Sequence, residues 1–218
     1  MRRQAPVSPV PIIKLEVMIM NRARTAFLTS CLLGMGLSAA QALSLEGTVS
    51  SVSPVNAQAT LQANSRVGLF LLGPNGKPTL EVVSSPLKEG RFALTLPDKP
   101  LEERLLEQLT PDAVTWSGVV GTIKVAGTPK FGELRLYTYV DVNTSAKRDS
   151  SEGITETAAQ LGRSSLVVIY LDGPGKVSAD KGFEVNLKAG WNALSIEAGR
   201  TVKGTALEHV LNLELKPL

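Results

Sequence analysis

The amino-acid pattern predicts an all-β chain, folded as an antiparallel β-sandwich with one short helix near residues 99–109. Three observations carry this expectation. Apolar residues alternate, or cluster in runs of about four to eight, between Gly, Pro, Asn and Asp. Turn signals recur about every ten residues, the spacing of short strands in a sandwich. Only one stretch has helical spacing, whereas a parallel sheet needs a helix between consecutive strands.

The first element in chain order is a leader. From Met20 onward, Arg22 and Arg24 form a basic segment and Ala26 to Leu37 an apolar one. Ala40, Gln41 and Ala42 then give the small-x-small pattern that a signal peptidase accepts. Residues 1–42 are therefore read as leader and signal peptide, with cleavage after Ala42 and residues 43–218 as the β-sandwich domain. Residues 1–19 precede the later methionines Met18 and Met20 and read as an over-long gene start. The apolar run is too short, and too interrupted by Thr29, Ser30 and Ser38, to span a bilayer as about 20 apolar residues would. Cys31, the only cysteine, sits in Leu28-Thr29-Ser30-Cys31, which is similar to a bacterial lipobox. A membrane attachment follows only if Cys31 is lipidated. With the leader removed, 176 of 218 residues remain, and no thiol is left for a disulfide, a nucleophile or a ligand.

The leader also accounts for the basic charge. It holds five of the 23 Lys and Arg and one of the 20 Asp and Glu, so the remainder carries 18 against 19, a formal charge of about −1. Charges of both signs are mixed along the chain, without the clustered Lys, Arg and aromatic residues of a nucleic-acid surface.

In the mature part, Leu43, Leu45, Gly47 and Val49 share one parity. Val67 to Leu72 is apolar on both faces and reads as a central strand, followed by a tight hairpin at Pro74-Asn75-Gly76, where Asn-Gly supplies positive φ angles. Phe92, Leu94 and Leu96 alternate up to Pro97. The helix is expected next: Asp98 as cap, Pro100 in the first turn, an apolar face of Leu101, Leu105, Leu106 and Leu109, and a stop at Pro111. It marks a subdomain boundary near 98–111. Beyond it, Leu134, Leu136, Thr138 and Val140 oppose Glu133, Arg135, Tyr137 and Tyr139. Leu166 to Leu171 is a second buried run, Phe183, Val185 and Leu187 alternate, and Leu207 to Leu215 closes the chain as a strand.

Two short stretches carry a resemblance. Glu89-Gly90-Arg91-Phe92-Ala93-Leu94-Thr95-Leu96-Pro97 resembles a hairpin of bacterial carboxypeptidase-regulatory-like, or transthyretin-like, sandwiches. Leu187-Lys188-Ala189-Gly190-Trp191-Asn192 resembles a turn of secreted bacterial β-sandwich proteins of unknown function. The resemblance implies an Ig-like or transthyretin-like sandwich serving as an extracytoplasmic adhesion, scaffold or accessory module. It brings no family active site with it.

The segment from Asp141 to Glu152 has the ligand spacing of a twelve-residue calcium loop. Asp141, Asn143, Ser145, Asp149 and Glu152 place side-chain oxygens at positions 1, 3, 5, 9 and 12, and Lys147 offers its backbone carbonyl at position 7. Alternate residues of a coiled loop point inward, which is why this spacing collects oxygens. Ala146 stands at position 6, where glycine usually takes a positive φ, at a cost of roughly 1 kcal/mol. Lys147 and Arg148 offset much of the acidic charge, so calcium is expected to bind weakly.

Catalytic inventory is thin. His209 is the single histidine, and its parity groups it with Leu207, Leu211 and Leu213 as an edge-of-core imidazole. Zinc or copper sites built from several His or Cys are excluded. No G-x-S-x-G elbow occurs. Ser85-Pro86-Leu87-Lys88 and Ser178-Ala179-Asp180-Lys181 spell S-x-x-K without the S-D-N and K-T-G elements of a penicillin-binding fold. No catalytic residue and no organic cofactor is assigned. The expected function is a non-enzymatic, exported module of the periplasm, cell envelope or secreted space with a structural or interaction role in a protein assembly. The alternatives are a module binding surface glycan or another ligand through Trp116, Trp191, Tyr137, Tyr139 and Tyr170, and a hydrolase using a pair of carboxylates.

Overall fold

The computed structural model describes residues 42–50, 62 and 64–218; the leader through Gln41, with Cys31, lies outside them. Fourteen strands follow: β1 (Ser44–Val49), β2 (Ser65–Leu72), β3 (Pro78–Pro86), β4 (Arg91–Thr95), β5 (Glu107–Gln108), β6 (Lys124–Ala126), β7 (Lys130–Val140), β8 (Ile154–Leu161), β9 (Ser164–Leu171), β10 (Gly175–Ala179), β11 (Phe183–Leu187), β12 (Gly190–Ala198), β13 (Val202–Leu207) and β14 (His209–Pro217). The chain is nearly all β, as its alternation predicts.

Eleven strands make one large mixed sheet that curls until it is nearly closed like a barrel. One path runs β13-β12-β9-β7-β8-β14-β1-β4, while β2 and β3 extend from the other edge of β7. The sheet is not purely antiparallel: β1 runs parallel to β14. Strands β11, β10 and β6 form a separate antiparallel sheet.

Two cores explain the two apolar runs seen in the sequence. Along β9, Leu166, Val168 and Tyr170 pack with Leu45, Leu69, Leu94, Leu134 and Leu213 inside the curl. The alternate residues Val167, Ile169 and Leu171 pack with Trp116, Val177, Phe183 and Val185 beneath the small sheet. Strand β12 divides in the same way, with Ala193 on one side and Leu194 and Ile196 on the other. In β2, Val67, Leu69 and Leu71 face the first core. Phe70 faces outward into a third cluster, edge-on to Tyr137 and Tyr139 at 5.4 and 6.3 Å.

Three expectations need correction. The helix near 99–109 is absent: the segment holds a 3-10 turn at Glu103–Leu105, a strand at Glu107–Gln108 and a second 3-10 turn at Pro111–Ala113. Leu101, Leu105 and Leu106 pack on the first core, whereas Leu109 is buried in the second. A helix burying one stripe serves one core, so an irregular crossing replaces it. The 73–77 turn has positive φ only at Gly76, because Gly76 N–H donates to Gly73 O around a turn centred on Pro74 and Asn75. His209 is exposed. The parity of β14 breaks between Val210 and Leu213, which pair with Leu45 and Gly47, and Asn212 in the interval has φ 59°. This bulge leaves Leu211 55% exposed.

Candidate functional site

The loop after β7 is held by its first and last acidic residues. Asp141 directly follows the strand and is 3% exposed, and Glu152 is 6% exposed. Asp141 Oδ1 and Oδ2 accept the N–H groups of Ser145 and Ala146, both at 2.9 Å. Glu152 Oε1 and Oε2 accept those of Val142 at 2.8 Å and Asp149 at 2.9 Å. Ala146 has φ 63° and Thr144 φ 59°, so position 6 takes the left-handed backbone that glycine usually supplies. Asn143, Ser145 and Lys147 are exposed, and Asp149 is half-buried. Asn143 Nδ2 donates to Asp149, and Ser145 Oγ donates to the Lys147 carbonyl at 2.7 Å.

The donor set is all oxygen, the hard chemistry that suits calcium. Among the described residues, no three His, Cys, Asp or Glu side chains gather as a group that would hold a metal. The two buried carboxylates face backbone N–H groups instead. The guanidinium of Arg66 lies 4.0 Å from Asp141 Oδ2 and pairs with that carboxylate.

A polar network beyond the loop has no local sequence signature. Glu81 of the edge strand β3 accepts Arg148 N–H at 2.7 Å and the Tyr139 hydroxyl at 2.8 Å. Ser84 Oγ donates to the Ala146 carbonyl at 3.3 Å and accepts from Arg66 Nη2 at 3.2 Å. Loop, edge strand and β7 are thus tied through one carboxylate and one hydroxyl. Burial pushes the Tyr139 phenol up to about 12; Ser84 opposes this, and the Glu81 carboxylate reinforces it. Glu81 and Tyr139 are 58 positions apart. The only signal in the sequence is an acid in the middle of an apolar strand.

A second polar feature lies where β7 forks. Its pairing with β9 ends at Leu134 opposite Val168, and its pairing with β8 begins at Tyr137 opposite Glu156. The buried Thr157 hydroxyl donates to the Leu136 carbonyl at 2.8 Å inside the fork. Above it, Arg135 Nε lies 3.1 Å from Glu133 Oε1 and Arg135 Nη1 lies 2.8 Å from Glu156 Oε1. Burial lowers the Arg135 proton affinity, but the two carboxylates outweigh it and leave the guanidinium above its ordinary value. Two acids share a cleft here, and both are committed to one cation.

The aromatic side chains considered for glycan stacking are built into the fold. Tyr137, Tyr139, Tyr170 and Trp116 are buried, and Trp191 stands edge-on to Tyr170 at 4.9 Å with its Nε1–H on the Pro97 carbonyl at 2.7 Å. His209 Nδ1 lies 3.2 Å from Ser44 Oγ. Among the described residues, no helix is long and apolar enough to cross a membrane. Comparison with protein-family models, with curated proteins and with solved structures finds no match to this chain.

Proposed function

We propose that the chain is a non-enzymatic β module, exported to the cell envelope or beyond, that contributes a structural or interaction surface to a larger protein assembly. The observation that carries this reading is the Glu81 centre, where polar groups are spent on joining an edge strand, a loop and β7. Such groups brace a surface. The small sheet layered on β9, β12 and β13 supports reading the domain as a sandwich related to the transthyretin-like modules. Loop 141–152 serves as a weak calcium brace, with a dissociation constant of roughly 0.1 to 1 mM; its oxygen donors and the backbone at Ala146 support this.

Cross-linking in intact envelope, followed by size separation, tests the module. The protein should migrate with a larger assembly, and recovery as a free monomer alone overturns the reading. Calcium is tested separately. Millimolar calcium should raise the melting temperature by a few degrees in the wild type and not in Asp141→Ala. If it changes neither melting nor the hydrogen exchange of the loop, the calcium brace is wrong and the module reading stands.

A further inference from the structure

A groove crosses the outer face of β7 and continues past the fork. One hollow of about 350 Å³ lies over the fork, and a second of about 380 Å³ lies toward the β2–β3 turn; Glu133 and Arg135 line both. Glu107 and Asp112 line the second hollow, and Glu156 the first. Four carboxylates therefore face one guanidinium, which already bridges two of them. Glu107 and Asp112 are exposed and form no ion pair among the described residues.

A second observation is independent of charge. Trp116 forms part of the groove wall, is 3% exposed, and its indole N–H has no acceptor among the described residues. Leaving such a donor buried and unpaired costs about 1–3 kcal/mol, which sets this indole apart from that of Trp191 on Pro97.

We infer that this groove binds an extended, lysine- or arginine-rich segment of a partner protein. The basic side chains meet Glu107 and Asp112, beside Glu133 and Glu156 on Arg135, and a main-chain carbonyl of the segment accepts the Trp116 N–H. The combination selects a peptide over a simple cation, because a cation satisfies the carboxylates and leaves the indole donor unpaired. The N–H is closed to solvent, so occupancy requires the wall at residues 115–117 to shift. The inference rests on the interaction-module reading and names the chemistry of the partner.

The test uses the exported chain and an acetylated, amidated Lys-Thr-Lys-Thr-Lys-Thr-Lys peptide, followed by the two indole N–H resonances. The Trp116 signal should move on titration, while that of Trp191, held on Pro97, stays in place. The double variant Glu107→Gln with Asp112→Asn, both at exposed positions, should weaken binding about fivefold at low salt. No binding, unaltered binding by the double variant, or a stationary Trp116 signal overturns the inference. So does spermine, if it moves that signal as far as the peptide does. An assembly recovered by cross-linking while the peptide fails to bind removes the groove proposal alone. Peptide binding without any assembly removes the module reading instead.

Discussion

Gly47→Ala probes a close backbone approach in the large sheet. Gly47 lies in β1 between Leu213 of β14 and Phe92 of β4, next to the bulge. A Cβ placed there would sit 2.0 Å from the Leu213 carbonyl oxygen, 2.7 Å from its carbon and 2.8 Å from Leu213 Cβ. Two of these three atoms are backbone, so no rotamer change relieves the clash and the strands must part. Overpacking costs typically 1–3 kcal/mol, and a backbone obstacle places this case near about 3. Removing a glycine from the unfolded chain returns roughly 0.5–1 kcal/mol, leaving a net loss of about 2 kcal/mol. For a chain of this size that lowers the melting temperature by about 4–8 °C. Thermal and urea unfolding followed by circular dichroism measure it. Gly173→Ala is the control, because its added Cβ meets nothing within 4 Å. A Gly47→Ala protein as stable as Gly173→Ala would refute the register between β1 and β14.

Ala146→Gly relieves a φ of 63° and should raise stability by up to about 1 kcal/mol, enlarging any calcium-induced melting shift; a loss of stability would show that the loop does not take this backbone. Thr157→Val removes the hydroxyl that satisfies Leu136 while keeping its shape, and should cost about 1–2 kcal/mol in urea unfolding. Thr157→Ser should keep most of that stability, and equal losses in both variants would contradict the fork hydrogen bond. Tyr139 gives a pH signature. Its folded value of about 12 lies above the ordinary phenol value of about 10, so the folded state holds the proton more tightly. Its contribution is complete below about pH 10 and is lost as pH rises to about 12. Tyr139→Phe should flatten that part of the stability curve, and an unchanged slope would place the phenol elsewhere.

The strands were legible because alternation reports burial residue by residue: Phe92, Leu94 and Leu96, or Phe183, Val185 and Leu187, each face one core. The apolar run at Leu166–Leu171 signalled burial on both faces for a reason the structure supplies, a core on each side of β9. Leu101, Leu105, Leu106 and Leu109 misled because helical spacing says that residues are apolar without saying that they share a neighbour. The side of β14 on which His209 falls was hidden by a bulge at Asn212, where one extra residue inverts the count. At the candidate site, the loop backbone was readable from Asp141, Ala146 and Glu152, which lie within one short segment. Glu81, Ser84 and Arg66 were not, since strand pairing brings them to the loop and no periodicity encodes that pairing.

The wall made by β9 and β12 belongs to both cores, and this shapes how the protein comes apart. Loosening Ile169 or Leu194 on one side shifts the backbone that positions Val168 or Ala193 on the other. Neither core can melt while its neighbour keeps the wall in place, so the two should behave as a single cooperative unit. The amides of β9, paired along Ser165–Leu171 with β12, would then be among the last to exchange with solvent, and only through global opening. Evolution inherits the same bond: a residue in this wall answers to two sets of neighbours at once, and has correspondingly few alternatives.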